Sequence, residues 1–228
     1  MSNFSFTDIL GPIMIGPSSS HTAGAAKLAL VARCINKRPF NKVTFQLHGS
    51  FAETYTGHGT DKALIGGVLG FEPDDVRLRD AYKHADQVGL DVTFERVDLD
   101  TSHANSVCMV FYNLDGSINE ITGASLGGGA IIVNAINDFK VHFSGIYPTL
   151  IVRHLDKKGI LNTITTILAT RDINIASLEV SRTSKNKQAS IIVECDEPIS
   201  DEVVRLIENT PDVFTVKHID VQKGDTYV

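Results

Sequence analysis

The sequence predicts an α+β protein made of two parts, a mixed α/β domain followed by a smaller ferredoxin-like domain of βαββαβ order. Its length of 228 residues exceeds one ordinary domain and falls short of three. Around residues 144–148, sequence rich in glycine and small residues gives way to a compact alternation of strand and helix signals. We therefore place the first domain at 1–145 and the second at 148–228.

The element order in the second domain follows from hydrophobic spacing and turn residues. Gly159 opens a predicted helix whose apolar residues recur at helical spacing, and Ser200 precedes a second helix with acidic residues in its first turn. A polar turn at 184–187 joins two of the strands into a hairpin. The predicted strands are 149–154, 174–183, 190–194 and 213–221. This order is that of the split βαβ plan.

The first domain mixes helices and strands without a regular βαβ repeat. Strands are predicted at 42–47, 106–114 and 117–122, and helices at 25–34 and 62–69. The dipeptide Asp115-Gly116 separates two strand patterns and therefore indicates a hairpin.

Composition and charge exclude several classes of protein. Hydrophobic residues make up 43% and charged residues 21%, as in ordinary globular domains, and the net charge of -6 offers no positive surface for nucleic acid or anionic lipid. No apolar run approaches the roughly 18 residues that a membrane-spanning helix needs, and residues 1–10 do not resemble a signal peptide. We expect a cytoplasmic protein that binds neither nucleic acid nor membranes.

The three cysteines, Cys34, Cys108 and Cys195, lie far apart in the sequence. Their spacing matches neither zinc sites nor iron-sulfur motifs. Free cysteine is among the most buried residue types, so we expect buried thiols and assign no metal ligand to this chain. A non-local cluster is the alternative.

The first functional motif is Gly-Pro-Ser-Ser-Ser-His-Thr-Ala-Gly at 16–24, directly before a predicted helix. Free N–H groups, the positive end of the helix dipole and short hydroxyl side chains together suit a carboxylate or another anion. His21 adds a group that titrates near neutral pH. Helix capping alone would use one hydroxyl, so the run of hydroxyls favours a binding site.

The second motif runs from His48 to Asp61, between a predicted strand and a predicted helix. Gly57 and Gly59 flank His58 and permit close approach of the backbone, and Thr60 or Asp61 is predicted to cap the helix. The alternative is a loop without a chemical role. Two weaker elements are 102–106, with its histidine and asparagine, and the glycine-rich segment 123–129.

Together, and in this order, these motifs and the C-terminal domain resemble the beta subunit of the iron-sulfur-dependent L-serine dehydratase of bacteria, in its two-chain form. The resemblance covers essentially the whole chain. Ala104 departs from the pattern, because related enzymes tend to have proline between the histidine and asparagine of 102–106. The first domain also resembles the allosteric substrate-binding domain of some phosphoglycerate dehydrogenases.

The resemblance implies that L-serine is converted to pyruvate and ammonia with a [4Fe–4S] cluster held mainly by a separate alpha subunit. It also implies that His21 or His58 is the general base or orients it. On this hypothesis Ser18, Ser19, Ser20 and Thr22 bind the substrate carboxylate, and Thr60 and Asp61 are further substrate-binding residues. A pyridoxal-phosphate mechanism would need a Schiff-base lysine, and Lys62, the only lysine beside the motifs, is predicted to be solvated.

The second domain resembles an ACT domain, a ligand-sensing module attached to many enzymes of amino-acid metabolism. The residues that carry this resemblance lie at 154–160 and 172–176. It implies effector binding by His154, Asp156, Gly159 and Asn174, and pairing of two copies through this domain. Asp156 replaces an asparagine of serine-sensing members, and its carboxylate would accept from an α-ammonium group but repel an α-carboxylate. The alternative is a domain that serves only as a dimerisation surface.

Two other functions remain open on the sequence alone. The chain could be a regulatory subunit that binds amino acids without chemistry, or a scaffold that holds another enzyme through ACT pairing. A cysteine-rich chain that co-purifies with this one would favour the dehydratase.

Overall fold

The computed structural model of the chain describes residues 14–100, 103–137, 139–182 and 184–220. The chain divides into two compact units between Ser144 and Gly145. Some predictions fall outside these residues. They concern the strand ends at 183 and 221, the segment 1–10, and the outermost residues of both predicted domains. Among those residues, no helix combines the length and the apolar character required to cross a membrane.

The first unit contains a six-stranded sheet with helices against it, which confirms the predicted mixed α/β domain. Its strands are β1 (Phe40–His48), β2 (Asp91–Arg96), β3 (Ser106–Asn113), β4 (Ile118–Gly127), β5 (Ala130–Ile136) and β6 (Phe139–Phe143). Its helices are α1 (Ala25–Asn36), α2 (Gly49–Thr54), α3 (Thr60–Leu69) and α4 (Ala81–Gln87), with a π-helical turn at Ser19–Gly24 and a 3-10 turn at Val76–Asp80.

The sheet order is β2-β1-β3-β4-β5-β6. β1 and β2 are parallel, and because a parallel pair needs a long crossover, α2, α3 and α4 lie between them in the chain. The other neighbours are antiparallel. The predicted hairpin at Asp115-Gly116 is confirmed, with Gly116 at a φ of +81°.

Helices α1 and α3 approach each other at a glycine. A Cβ atom added to Gly67 would lie 2.3 Å from the carbonyl oxygen of Ala26 and 2.6 Å from Cβ of Ala29. A second close contact lies at Gly24, where an added Cβ would come within 2.0 Å of Oγ of Ser125 on β4. Both contacts fix the depth at which α1 and the turn before it pack.

The second unit has the predicted βαββαβ order. Its elements are β7 (Thr149–Leu155), α5 (Ile160–Ala169), β8 (Ile175–Arg182), β9 (Gln188–Cys195), α6 (Asp201–Glu208) and β10 (Val213–Ile219). The antiparallel sheet has the order β10-β7-β9-β8, and side chains of β7 and β9, such as Leu150 and Val193, form one core with both helices. Gly159, at a φ of +95°, precedes α5, and Ser200 Oγ accepts a hydrogen bond from the Val203 N–H at the start of α6.

Strand β8 is an edge of this sheet and is largely exposed along its length. Leu178 and Val180 are among its exposed apolar residues. An edge strand carries unpaired backbone donors and acceptors, so β8 is open to pairing with another strand.

Candidate active site

The predicted motifs of the first unit meet at one end of its sheet. β1 and β4 finish at this end and β3 and β5 begin there, because neighbouring strands run antiparallel in the order β1-β3-β4-β5. The segments that adjoin these strand ends are therefore neighbours in space. The Gly128 N–H, for example, donates to Ser19 Oγ at 3.3 Å.

The hydroxyls of the first motif are engaged in contacts within this site. Ser18 caps the π-helical turn, since its Oγ accepts from the His21 N–H at 3.1 Å. Ser20 Oγ lies 3.3 Å from Ser18 Oγ, and Thr22 Oγ1 donates to the carbonyl oxygen of His58 at 3.2 Å. The turn is thereby fixed to the loop of the second motif.

The His21 ring lies between two serine hydroxyls. Its Nδ1 is 3.0 Å from Ser20 Oγ, and its Nε2 is 3.1 Å from Ser50 Oγ. The side chain is buried, and Phe51 packs edge-on at 5.2 Å between ring centroids. A neutral imidazole has one donor and one acceptor nitrogen, so one serine donates to the ring and the other accepts from it.

His58 lies next to His21, with 5.0 Å between the ring centroids, but is itself exposed. Burial lowers the pKa of His21, the charge of nearby His58 lowers it further, and a hydrogen bond to the Ser50 backbone acts in the opposite direction. His21 is therefore neutral at pH 7 and can accept a proton.

Substitution of His58 by glutamine is expected to raise the pKa of His21, because it removes a like charge while leaving the burial unchanged. The pKa should stay below the ordinary histidine value of about 6.5. NMR titration of the His21 ring protons measures it. His142→Gln, on an exposed position of β6, is the matched control and should leave the pKa unchanged.

The depressed pKa also makes stability depend on pH. The unfolded chain takes up a proton on this ring near pH 6.5, whereas the folded chain does so only at lower pH. The contribution of His21 to the free energy of unfolding is therefore complete above about pH 6.5, and it is lost as the pH falls through the lowered pKa. In His58→Gln the loss should be smaller, and denaturant titrations between pH 7 and pH 5 would show it.

The prediction that Thr60 or Asp61 caps α3 is wrong. The capping residue is Gly59, at a φ of +71°, and no side chain bonds to this helix start. Instead, the carbonyl oxygen of Tyr55 accepts from the Thr60 and Asp61 N–H groups at 2.9 and 3.4 Å. The left-handed glycine turns the chain so that a backbone carbonyl replaces the side-chain cap.

Thr60 and Asp61 are instead buried. One Asp61 oxygen, Oδ2, accepts from the Tyr82 hydroxyl at 3.0 Å, which contributes to a raised Tyr82 pKa after burial and the Asp61 charge. Thr60 Oγ1 and Asp61 Oδ1 have no hydrogen-bond partner among the described residues. Both side chains therefore contact the interior of the unit in this structure.

Beside His58 is a cleft of about 400 Å³. Its walls come from the loop around Pro17, from residues 56–59 and from the start of α3, and they include Lys62 and Arg79. Lys62 is exposed, as predicted. The exposed imidazole of His58 thus adjoins two cationic side chains at the opening of the site.

Sequence reasoning missed Ser50 as a partner of His21, and it gave little weight to the glycine segment that contacts Ser19. The sequence signal for Ser50 was the adjacent Gly49, since a glycine after a strand indicates a tight turn. In the structure Gly49 has a φ of +57°, and a Cβ added to it would lie 2.6 Å from the carbonyl oxygen of Ala104. The weaker element containing His103 and Asn105 therefore supports the turn that carries Ser50.

In the second unit, three of the four predicted effector residues lie at the same end of the sheet. His154 is buried, with Nδ1 2.7 Å from the carbonyl oxygen of Leu155 and Nε2 without a hydrogen-bond partner among the described residues. Asp156 accepts from the Asn186 N–H and from Arg182, which lower its pKa in that order. Gly159 follows in the same loop.

Asn174 lies at the opposite end of this sheet. Its N–H and side-chain amide donate to Glu197 and Asp196 at 2.6 Å each, and the adjacent Ile175 pairs with Cys195. His154 pairs with Ala189 at the other end of β9, about 20 Å away at roughly 3.3 Å per residue. A single copy does not bring Asn174 and His154 together.

The described residues do not by themselves fit a [4Fe–4S] cluster. They contain no group of three or more histidine, cysteine or acidic side chains placed to hold a metal ion. Burial raises the pKa of Cys108, and burial with nearby acids raises that of Cys195 to about 11. Without a bound metal, both are therefore protonated thiols at neutral pH.

These features define an α+β protein with a histidine and serine site at the end of a mixed sheet, and with a separate ferredoxin-like unit. Family models match the chain as Serine dehydratase beta chain over residues 5–91 and as ACT domain over residues 148–212. The L-serine dehydratase beta chain of Peptoniphilus asaccharolyticus is 42% identical over 225 residues, covering 97% of this chain and 100% of that one. The chain therefore belongs to the family of L-serine dehydratase beta chains.

Two Bacillus subtilis proteins extend this picture. A probable L-serine dehydratase beta chain is 39% identical over 93% of this chain and 96% of its own length. D-3-phosphoglycerate dehydrogenase is 29% identical over 85% of this chain but only 36% of its own length. A relative of most of this chain thus occurs as part of a larger protein.

Proposed function

We propose that this chain is the beta subunit of a cytoplasmic, iron-sulfur-dependent L-serine ammonia-lyase, which converts L-serine to pyruvate and ammonia together with an alpha subunit. The observation that carries the proposal is the buried, neutral His21, held between Ser20 and Ser50 beside His58. Family membership adds the substrate and the partner, as implied by the relatives' names.

The proposed chemistry of this chain is proton abstraction. An imidazole removes the α-proton of serine, and the β-hydroxyl leaves as water, which gives 2-aminoacrylate; hydrolysis of this enamine yields pyruvate and ammonia. His21 is neutral at the working pH, but both its ring nitrogens are engaged by serines. We therefore assign the contact with the substrate to His58, whose ring is exposed, and the orientation of the hydroxyls to the adjacent His21.

Ser18, Ser19, Ser20 and Thr22 are proposed to line the substrate. The turn that carries these hydroxyls is fixed at both sides, through Thr22 to the carbonyl oxygen of His58 and through Ser19 to the Gly128 N–H. Their role is then orientation of the amino acid within a pre-formed turn. Thr60 and Asp61 support the loop from inside the unit.

The alpha subunit is proposed to cover the end of the sheet where the site lies. Gly128 and Leu126 are exposed there, next to Ser19. The resemblance assigns the cluster mainly to that subunit, and no step is assigned to cluster ligands in this chain.

Anaerobic co-expression with a cysteine-rich alpha subunit, followed by a pyruvate assay with L-serine, tests the proposal. We expect pyruvate from the mixture, loss of activity in air, and no activity from either chain alone. A stable complex with an intact cluster and no pyruvate would contradict the dehydratase and favour a regulatory binding protein.

The second unit supports a regulatory role in the same complex. The buried Nε2 of His154 lacks a partner among the described residues, which makes it available to a bound amino acid. Asp156 is already paired with Arg182, so its charge is partly neutralised. Two copies paired antiparallel along β8 would bring Asn174 of one copy towards the His154 end of the other.

Calorimetric titration of the chain with L-serine tests this regulatory site. Saturable binding should occur in the wild type and in His142→Ala, and should be lost in His154→Ala. Equal binding by all three proteins would remove His154 from the site.

A further inference from the structure

The cleft beside His58 has a charge that the mechanism described above does not use. Lys62 and Arg79 both line it, and no aspartate or glutamate among the described residues does. Neither cation forms an ion pair with a described residue, whereas other cations of the chain, such as Arg77 and Lys157, do. Two unpaired cations in one cleft favour an anionic ligand.

The nearest carboxylate in the sequence, Asp61, does not neutralise Lys62. Its side chain is buried and accepts a hydrogen bond from Tyr82, whereas Lys62 is exposed. Arg77, close to Arg79 in the chain, is paired with Asp75. The positive charge of the cleft therefore comes from Lys62 and Arg79.

The serine and threonine hydroxyls offer a substrate hydrogen bonds but no full positive charge. Thr22, which also lines the cleft, has its hydroxyl proton committed to the carbonyl oxygen of His58. A carboxylate that leaves water loses the free energy of its hydration, and the protein has to replace those interactions. Hydrogen bonds from a charged donor do this better than hydrogen bonds from a neutral one, because they are stronger.

We propose that Lys62 and Arg79 form a carboxylate-binding subsite, which holds the carboxylate of the 2-amino acid substrate or 2-oxo acid product while its α-carbon lies beside His58. This assignment rests on the proposed function for the identity of the acid. A cleft of about 400 Å³ has room for a three-carbon acid together with ordered water.

The test uses the complete chain without its partner, with pyruvate as the probe, and follows the ring resonances of His58 by NMR at low ionic strength. We expect a saturable shift in the wild type. Lys62→Gln and Arg79→Gln should each weaken apparent binding by about tenfold, since ion pairs in open sites are modest and salt-sensitive. Lys83→Gln, on an exposed position of α4, should bind like the wild type.

Three results would overturn the subsite. These are no saturable shift in the wild type, equal binding by Lys62→Gln, Arg79→Gln and Lys83→Gln, or binding of sulfate or uncharged pyruvamide as tight as that of pyruvate. In the reconstituted complex, Arg79→Gln should raise the KM for L-serine more than it lowers kcat. An inactive complex whose beta chain still binds pyruvate through Arg79 would reject the proposed dehydratase and leave the subsite standing.

Discussion

Replacement of His21 by alanine is expected to lower kcat of the reconstituted complex by about 10²–10⁴-fold, the usual range for disrupted acid–base catalysis, whether the ring takes the proton itself or orients the groups beside the base. The variant removes the imidazole that holds Ser20 and Ser50 and that contacts His58. Replacement of His58 should have an effect of the same order, because we propose that its exposed ring contacts the substrate. Pyruvate formation under anaerobic conditions measures both.

His142→Ala is the matched control, because this histidine is exposed on β6 and lies in the same unit. It should retain full turnover. Near-normal turnover in both the His21 and the His58 variant would reject the acid–base assignment. Ser50→Ala separates direct catalysis from orientation: if Ser50 only holds the ring, kcat falls less than in His21→Ala.

Gly67→Ala is expected to lower the free energy of unfolding by about 2 kcal/mol or more, although alanine is the better helix former by about 1 kcal/mol. The added Cβ would lie 2.3 Å from the carbonyl oxygen of Ala26. This oxygen belongs to the backbone of a buried helix, so it cannot move aside as the end of a flexible side chain could. Overpacking therefore exceeds the gain in helix propensity. Denaturant titration of the chain measures the change.

Gly57→Ala is the control for this prediction. Its φ is not in the left-handed range, and an added Cβ would meet only the Thr54 carbonyl oxygen at an ordinary 3.7 Å. We expect a change within about 0.5 kcal/mol. Equal destabilisation of the two variants would mean that the contact between α1 and α3 is not the cause.

Elements whose signals are local could be predicted from the sequence. The Asp115-Gly116 hairpin depends on turn residues, and the βαββαβ order depends on hydrophobic spacing and short polar turns, all of which lie within a few residues of the element. The serine and histidine motifs were predicted to be functional because their composition exceeds what capping needs. The structure places both at the same end of one sheet.

What could not be predicted depends on distant residues. Ser50 meets His21 only because β1 leads into α2 beneath the π-helical turn, a consequence of packing. The N–H groups at the start of α3 donate to the carbonyl oxygen of Tyr55. Sequence patterns for helix caps describe side-chain acceptors, so they do not predict a backbone carbonyl in this role. The separation of Asn174 from His154 follows from strand register, which motif spacing does not encode.

The order of strands in the first sheet also constrains how the chain folds while it is being synthesised. β1 lies between β2 and β3, and the glycine that bonds to Ser19 follows β4. A nascent chain that ends before β3 already carries His21, Ser50 and His58, but β1 still lacks its antiparallel neighbour and exposes an unpaired edge. Synthesis must therefore pass β4 and the glycine turn after it before the hydrogen bond between Gly128 and Ser19 can form, so this contact has to wait until about half of the chain has been made.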